Sequence, residues 1–579
     1  MPTPTLDAIR GEADALVQNR LLFEALRDDL KRNTLYAELK EAGFPPLPFK
    51  SAIRRGGSDE NWPSVQAYLL SSAEDVSTAL REGSVKPYSE LDSGGVFMLG
   101  EDKLAPHKSQ RENALAALQF NKGELTRCAE EAVRRAMVLP TKTHQFDLVT
   151  DVAEQAALRY IAMIFGLTAK AHVYLELGMR AAYTRLTFQI IGRHFLPDDG
   201  QIPKDSKKAV EVREDLEADI LEAAHDVDRS KEEWWDKNWL DKNNQNAGLG
   251  VAARYPGDDE MIRTVIGGLM AGTVGNITSA VANTIDYFFA EKMPSGTRMI
   301  DEAIEYARRA SPSALAELIV HAMRNRPPAP FLARTAEKDM LLGKVTIPAG
   351  AELMLALGAD LPIDPELMFG GGVDDSKYMH SCVGRHLAWP IIHATVRQVL
   401  LLPGLSQRID TATGTPMPLV KSWGAICDEY PLQYQRDRRL NQQPLLFVLR
   451  IKEPVAENAR KLVLLTKAGA AVVERALEEA HNVHFAWFLL VENNTHLAFF
   501  TVYDGDFDAY VEHFALKVPL FNEQFKYLVD APPTPIQEYP REFVATIKKH
   551  NRTPLVNYFY SAYPTSCVAD IQNEGLGPR

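Results

Sequence analysis

Residues 379–388 read Met379-His380-Ser381-Cys382-Val383-Gly384-Arg385-His386-Leu387-Ala388. A cysteine follows a histidine by two positions, precedes a glycine by two, and opens an apolar run that reads as a helix to about Leu402. A thiolate placed there is stabilised by the free N–H groups of the first helical turn and by the helix dipole. The stretch therefore suits a cysteine that must carry negative charge. Two other arrangements use the same residues: a buried cysteine at a helix start, or a zinc cluster of His380, Cys382 and His386.

The rest of the chain narrows the choice. Its 579 residues, at roughly 100–200 per domain, call for more than one unit unless one large enzyme core fills most of them. Lys+Arg 64 against Asp+Glu 77 gives a net charge of −13 with no basic cluster, which argues against nucleic acid as a partner. Four cysteines, Cys128, Cys382, Cys427 and Cys567, are too scattered for a disulfide scaffold, and no CxxC or CxxCH is present to hold a zinc ribbon or a covalent haem. Residues 1–18 are polar and lack the apolar core of a secretory signal, and no uninterrupted apolar run reaches about 18 residues. The expectation is a soluble cytoplasmic protein without a membrane span.

Up to about residue 430 the pattern is mainly helical, with apolar residues at helical spacing in Leu22–Ala42, Arg111–Met137, Phe146–Phe165 and Glu260–Phe289. Short strands are expected in part of Trp62–Leu70, at Leu341–Ile347 and at Glu352–Leu357. Trp234–Asn246 reads as a surface connection. Near Tyr430–Pro444 the sequence turns polar and almost free of aliphatics, giving expected domains at 1–432 and 445–579 joined by a linker at 433–444. In the second domain Lys461–Thr466 reads as a strand and Ala468–His481 as a helix. Val483–Val491 and His496–Val502 read as strands about a turn at Glu492-Asn493-Asn494, Asp506–Leu516 as a helix, and Val556–Ala562 as a late strand. That order is a split-βαβ, ferredoxin-like α+β unit in topology only. Its single cysteine cannot hold a Cys₄ cluster, and it lacks a GxGxxG dinucleotide fingerprint, so it is not expected to carry electrons. Its alternating strands should cover another surface, either the first domain or a second copy that would make a homodimer.

The motif HxCxGxxLA at His380–Ala388 resembles the haem-ligand signature of the cytochrome P-450 family. The resemblance implies haem b (iron protoporphyrin IX) with Cys382 as axial thiolate, and Gly384 as the place where backbone approaches the porphyrin. Other segments fall in the family's order. His107 and Arg111, four apart on one helix face, match the pair that bonds a haem propionate. Glu260–Phe289, with Ala271-Gly272 inside it, resembles the long distal helix. His321-Ala-Met-Arg324-Asn-Arg-Pro327-Pro328 resembles the ExxRxxPP segment, and Arg334…Asp339…Gly343-Lys-Val-Thr-Ile347-Pro348-Ala349-Gly350 resembles the stretch that supplies a second propionate ligand, Arg334. Phe146–Val149 and Ile164–Leu167 resemble its D–E helix region. With His380, these residues form the expected propionate clamp. The resemblance spans roughly residues 30–430. His194 and His393 lie outside its motifs, Trp234, Trp235 and Trp239 read as packing or surface aromatics, and Cys128, Cys427 and Cys567 read as ordinary buried thiols.

The sequence departs from the family in four places. His321 stands where the family has the glutamate that pairs with Arg324. The loop before the cysteine is stretched, with Phe369-Gly370-Gly371-Gly372 well upstream and Asp375 and Tyr378 in the intervening segment. The arginine-bearing element between Gly350 and Phe369 is missing. In the distal helix neither register gives the acid–alcohol pair that relays protons: one puts Val274 and Gly275 there, the other Ile277 and Thr278. Gly272, Asn276 and Thr278 are left as the candidate distal residues. The resemblance thus implies a haem-thiolate oxidoreductase on a lipophilic small molecule. Peroxide or organic-hydroperoxide chemistry, on a substrate such as a fatty-acid derivative, is the favoured mode. A conventional monooxygenase served by separate electron-donor proteins comes second, and a haem-binding or sensory module without turnover third.

Overall fold

The computed structural model describes residues 4–51, 65–84, 104–120, 122–137, 145–167, 218, 220–221, 224–225, 247–309, 312–371, 378, 380–422, 426–434, 442–480, 482–505, 507–518, 520–553 and 568. They fall into two compact units, 1–136 with 147–432, and 137–146 with 433–579. Trp234–Asn246, His194, Asp375, Cys567 and the expected strand Val556–Ala562 lie outside the described residues.

The first unit is mainly helical: α1 Leu6–Gly11, α2 Ala15–Arg27, α3 Asp29–Glu41, α4 Ala73–Glu82, α5 Leu104–Ala117, α6 Lys122–Ala136, α7 Glu154–Phe165, α8 Ala247–Ala252, α9 Asp259–Ala290, α10 Met299–Arg308, α11 Pro312–Asn325 and α12 Arg385–Leu400. Side-chain caps divide stretches that periodicity alone runs together. The Asp28 carboxylate accepts the Leu30 and Lys31 N–H groups, so Leu22–Ala42 is two helices rather than one. The expected helix Phe146–Phe165 begins as strand, and its Leu148–Ala153 turn is a π-helix capped by Asp147, before α7. Arg111–Met137 likewise splits into α5 and α6.

The unit's larger sheet has the order β1-β2-β6-β3, from β1 Leu47–Ser51, β2 Val65–Leu70, β3 Phe331–Thr335 and β6 Glu352–Ala356. The pair β2/β6 is parallel and the other two pairs are antiparallel. The hairpin β4 Met340–Leu342 and β5 Val345–Ile347, and the pair β7 Val420–Ser422 and β8 Ile426–Glu429, complete the small β elements used below. Apolar faces of α2 and α3 pack on the large sheet through Leu22, Leu26, Leu35, Leu39 and Phe49. Helix α9 runs through the helical part, packed by α7, α10, α11 and α12. By length and composition α9 is apolar enough to cross a membrane, but 71% of its most apolar window is buried inside the unit, the mark of a core helix.

In the second unit β9 Gln442–Arg450, β10 Val483–Val491 and β11 His496–Asp504 form an antiparallel sheet in the order β9-β11-β10. The helices are α13 Val455–Ala468, α14 Ala470–Ala480, α15 Phe507–Lys517, α16 Leu520–Phe525 and α17 Pro540–His550. Two expectations are corrected. Lys461–Thr466 is helix, not strand: of its apolar run only Leu462 is fully buried, on the face of Asn458 and Ala459, while Val463 and Leu464 are exposed. The polar stretch read as linker already contains the start of β9, where Pro444 sits in an outer strand of the described sheet and can do without its N–H.

Candidate active site

The cysteine loop is built by bonds between distant segments. The Cys382 N–H donates to the Phe369 carbonyl at 2.9 Å, and the Arg385 guanidinium lies 5.5 Å from the Phe369 ring centre. Phe369 is thus brought to the cysteine although the segment between them is longer than in the family's motif. Tyr378 packs back against the start of this segment. It is buried, its hydroxyl is 2.9 Å from Ser77 Oγ, and its ring lies where a Cβ on Gly371 would sit, 2.1 Å away, so only glycine fits there. Gly384 is the N-cap of α12, and the Tyr160 hydroxyl, from α7, donates to the Leu387 carbonyl at 2.8 Å. Burial pushes the Cys382 thiol up. The Gly384 N–H, the Arg385 and Arg111 charges and the Arg385 N–H act against it but do not outweigh burial. The side chain is open to solvent-sized space although it lies deep among protein atoms.

Next to this loop, four basic side chains from three segments meet. His107 and Arg111 from α5 are buried, not on a solvated helix face, as is Arg334 from β3. Arg111 donates through Nη1 to the Ser381 carbonyl at 2.6 Å and through Nη2 to Ser381 Oγ at 2.9 Å. The His107 and His380 rings meet edge to face, 4.5 Å between centres. The Arg334 stem runs against Gly83, where any side chain would collide with its Cβ and Cγ, and its Nη1 donates to the Ala333 carbonyl. Burial, then the charges of Arg334, His107 and Arg111, push His380 down to about 2, so it is neutral and surrounded by positive charge.

The expected distal residues are arranged differently. On α9, Gly272 is exposed, a Cβ there would meet nothing within 4 Å, and Asn276 lies one turn on along the same face. Asn276 Nδ2 donates to the Gly272 carbonyl at 2.6 Å. Thr278 does not join them: it is buried, two residues on and so on another face, and its hydroxyl donates to the Val274 carbonyl at 2.9 Å. Val274 and Ile277 are buried. Thr273, half-buried beside Gly272, was not among the residues singled out from sequence, and its hydroxyl donates to the Leu269 carbonyl.

His386 donates through Nε2 to the Leu118 carbonyl at 2.9 Å instead of turning toward Cys382, and no cluster of metal-ligating side chains occurs among the described residues, so the zinc arrangement finds no support. Ser381, which receives the Arg111 fork, and Tyr160 are the supporting residues that sequence reasoning missed. No spacing in the chain links either to its partner, 270 and 227 residues away.

No protein-family model and no curated protein matches the chain. Among solved structures the chain is similar to CalO2, at 17% identity and a TM-score of 0.50, over 69% of this chain and 95% of that one. It is also similar to PksS, the cytochrome P450 of the bacillaene polyketide synthase of Bacillus subtilis 168, at 14% identity and a TM-score of 0.50, over 70% and 97%. The fold of this region is cytochrome P450-like. At such identity the likeness speaks for the fold alone, and the P450-like part leaves the C-terminal unit unaccounted for.

Proposed function

We propose that the chain is a haem-thiolate oxidoreductase acting on a lipophilic small molecule, with Cys382 the axial ligand of haem b. One observation carries this reading: a cysteine two residues before the N-cap of α12, met by the N–H groups of Gly384 and Arg385, beside the buried His107, Arg111 and Arg334 and the half-buried His380. The donor set fits the group. A soft thiolate is the ligand haem iron takes in the P450-like fold, and two propionates are the dianion that four converging bases accommodate. Arg111 and Arg334 would bind the carboxylates, with His107 and His380 completing the cradle. Gly384 leaves room for close backbone approach. Bound haem with a thiolate ligand supplies the redox chemistry of O–O cleavage.

The favoured oxidant is a peroxide or organic hydroperoxide, with a fatty-acid derivative a fitting substrate class. Val274 and Ile277 offer no proton, and the Thr278 hydroxyl is turned back into its own helix. A positioned proton relay is worth about 10²–10⁴-fold in rate, and a hydroperoxide, already reduced, depends on it least. Asn276, on the open face of α9, keeps an N–H and a carbonyl oxygen with which to hold such a group. The C-terminal unit we read as ferredoxin-like in topology. After α17 the chain returns to the edge of β9, where the Arg552 N–H donates to the Leu446 carbonyl and the Leu446 N–H to Thr553 Oγ1.

The test is the spectrum of the reduced carbon-monoxide complex, followed by turnover assays. Wild type should give the red-shifted Soret band of a thiolate ligand, and Cys382→His should abolish it. A Cys382→Ala variant that keeps the band overturns the assignment. Hydrogen peroxide or a fatty-acid hydroperoxide without reductase should then give product. Product only with a surrogate reductase, NADPH and dioxygen would replace the peroxide mode by the conventional one, and none under either condition would leave a haem-binding module.

A further inference from the structure

Tyr378 is a departure from the family's cysteine loop, and the proposed chemistry leaves it without a role. The structure places it between two fixed points. Its ring is buried in a core cluster with Val76, Ala79 and Leu80 of α4, Leu342 of β4 and Leu355 of β6. Its hydroxyl is 2.9 Å from Ser77 Oγ on α4. Its main chain serves the cysteine: the Tyr378 carbonyl accepts the Ser381 N–H at 3.2 Å, and Ser381 in turn receives both arms of the Arg111 guanidinium, next to Cys382. The ring also lies against Gly371, two residues after Phe369, whose carbonyl takes the Cys382 N–H at 2.9 Å. Both ends of the lengthened segment, 369–371 and 378–382, therefore meet at this residue.

Helix α4 is itself held at both ends. At its start the Ala73 N–H donates to the Asp360 carboxylate at 3.1 Å, and the buried Asp75 carboxylate accepts the Gly343 N–H at 2.8 Å. Past its end Ser84 and Thr335 exchange backbone bonds at 2.8 and 2.9 Å, and Gly83 lies against the Arg334 stem. One helix thus supports Arg334 directly and the cysteine loop through Tyr378.

We propose that Tyr378, anchored to Ser77 on α4, is a positioning residue for Cys382: it closes the lengthened loop so that the sulfur keeps one place relative to Arg111 and Arg334. The inference rests on the haem-thiolate reading. A longer segment has more conformational freedom to lose on closure, and a buried ring whose hydroxyl has a partner offsets that cost. The ring does so from the core side, while the carbonyl of the same residue fixes the Ser381 N–H one position before the cysteine.

The test follows the full chain, loaded with haem, reduced and held under carbon monoxide well below its melting temperature. It reads the rate at which the red-shifted Soret band decays to that of a complex without thiolate, with far-UV circular dichroism on the same samples. Tyr378→Phe and Ser77→Ala should each speed the decay by about 2–10-fold, the worth of one hydrogen bond. The double variant should decay no faster than either alone, because both changes remove the same bond. Tyr378→Ala, which also empties the core position, should speed the decay by at least about tenfold. Leu342→Ala, in the same cluster but without a bond to the loop, should lower the melting temperature and leave the decay at the wild-type rate. Decay that Leu342→Ala speeds as much as Tyr378→Ala overturns the inference, and so does equal decay in wild type, Tyr378→Phe and Ser77→Ala, which decides the matter even where Tyr378→Ala does not fold. In both cases the wild-type band leaves the haem reading standing. A wild type without that band overturns the two together.

Discussion

Around Cys382, polar groups are tied to distant parts of the chain: its own N–H to Phe369, Arg111 to Ser381, and Tyr160 to Leu387. Around Asn276, they are tied to their own helix: Thr273 to Leu269, Asn276 to Gly272, and Thr278 to Val274, each four residues back. Bonds of the first kind fix one segment against another, so they preserve a site even where the intervening loop has been lengthened. Bonds of the second kind satisfy a donor without fixing what the face can bind. The proximal side of the site is therefore over-determined and the distal side is chemically open.

The largest expected effect lies on the over-determined side. Removing both Arg111 and Arg334 by Arg→Ala leaves the two propionates facing only His107 and His380. Breaking a buried charge pair from one side costs about 3–5 kcal/mol, so the haem dissociation constant should rise by at least about 10²-fold. Haem content after gel filtration reads this, with circular dichroism unchanged. Full retention by the double variant would show that the basic cluster binds something else.

On the open side the effect should be smaller and of another kind. Asn276→Ala removes one hydrogen-bonding side chain from the α9 face and should lower peroxide-driven turnover by up to about tenfold, the worth of a single hydrogen bond, with haem affinity unchanged. Parallel losses of haem and turnover would erase the distinction between the two sides.

The same contrast explains what the sequence made legible. Cys382, Gly384, His107, Arg111 and Arg334 stand in short local patterns, and the structure brings all five, with His380, into one neighbourhood. Ser381, Tyr160 and the return of Phe369 to Cys382 are tertiary facts with no local trace. Thr278 was singled out because its residue type suits the chemistry, but helical phase puts it on a buried face two residues from Asn276. In the C-terminal unit the strands with strict alternation, β10 and β11, are legible. Residues 461–466 are not, because a short apolar run does not distinguish a strand from a helix until the buried positions at Asn458, Ala459 and Leu462 are known. The start of β9 was hidden by its polar residues and Pro444.

The smallest effect concerns the position where the family's glutamate is replaced. His321 does not take over that residue's partner. Its Nε2 is 3.2 Å from the Tyr287 hydroxyl on α9, while Arg324 donates through Nε to the Ile363 carbonyl at 2.9 Å and accepts the Ile363 N–H on its own carbonyl at 2.8 Å. Arg324 thus holds the segment that leads to Phe369 through backbone groups, and no acid pairs with it among the described residues. Arg326, paired with Asp286 and 5.6 Å from the Tyr287 ring centre, adds a second tie between α9 and α11. Burial and the Glu291 charge push the Tyr287 phenol up, so it stays protonated at neutral pH. Tyr287→Phe deletes only the hydroxyl and keeps the ring under Arg326. At 3.2 Å and with His321 exposed, that bond is worth about 0.5–1 kcal/mol, which in a unit of this size lowers the melting temperature by about 1–2 °C. Haem content and the thiolate spectrum should not change, because Arg324, not His321, ties α11 to the Ile363 backbone. Should Tyr287→Phe or His321→Phe instead release haem, the α9–α11 tie would itself be holding the proximal loop, and the separation between a fixed proximal side and an open distal helix would fail at the one point where the two share a residue.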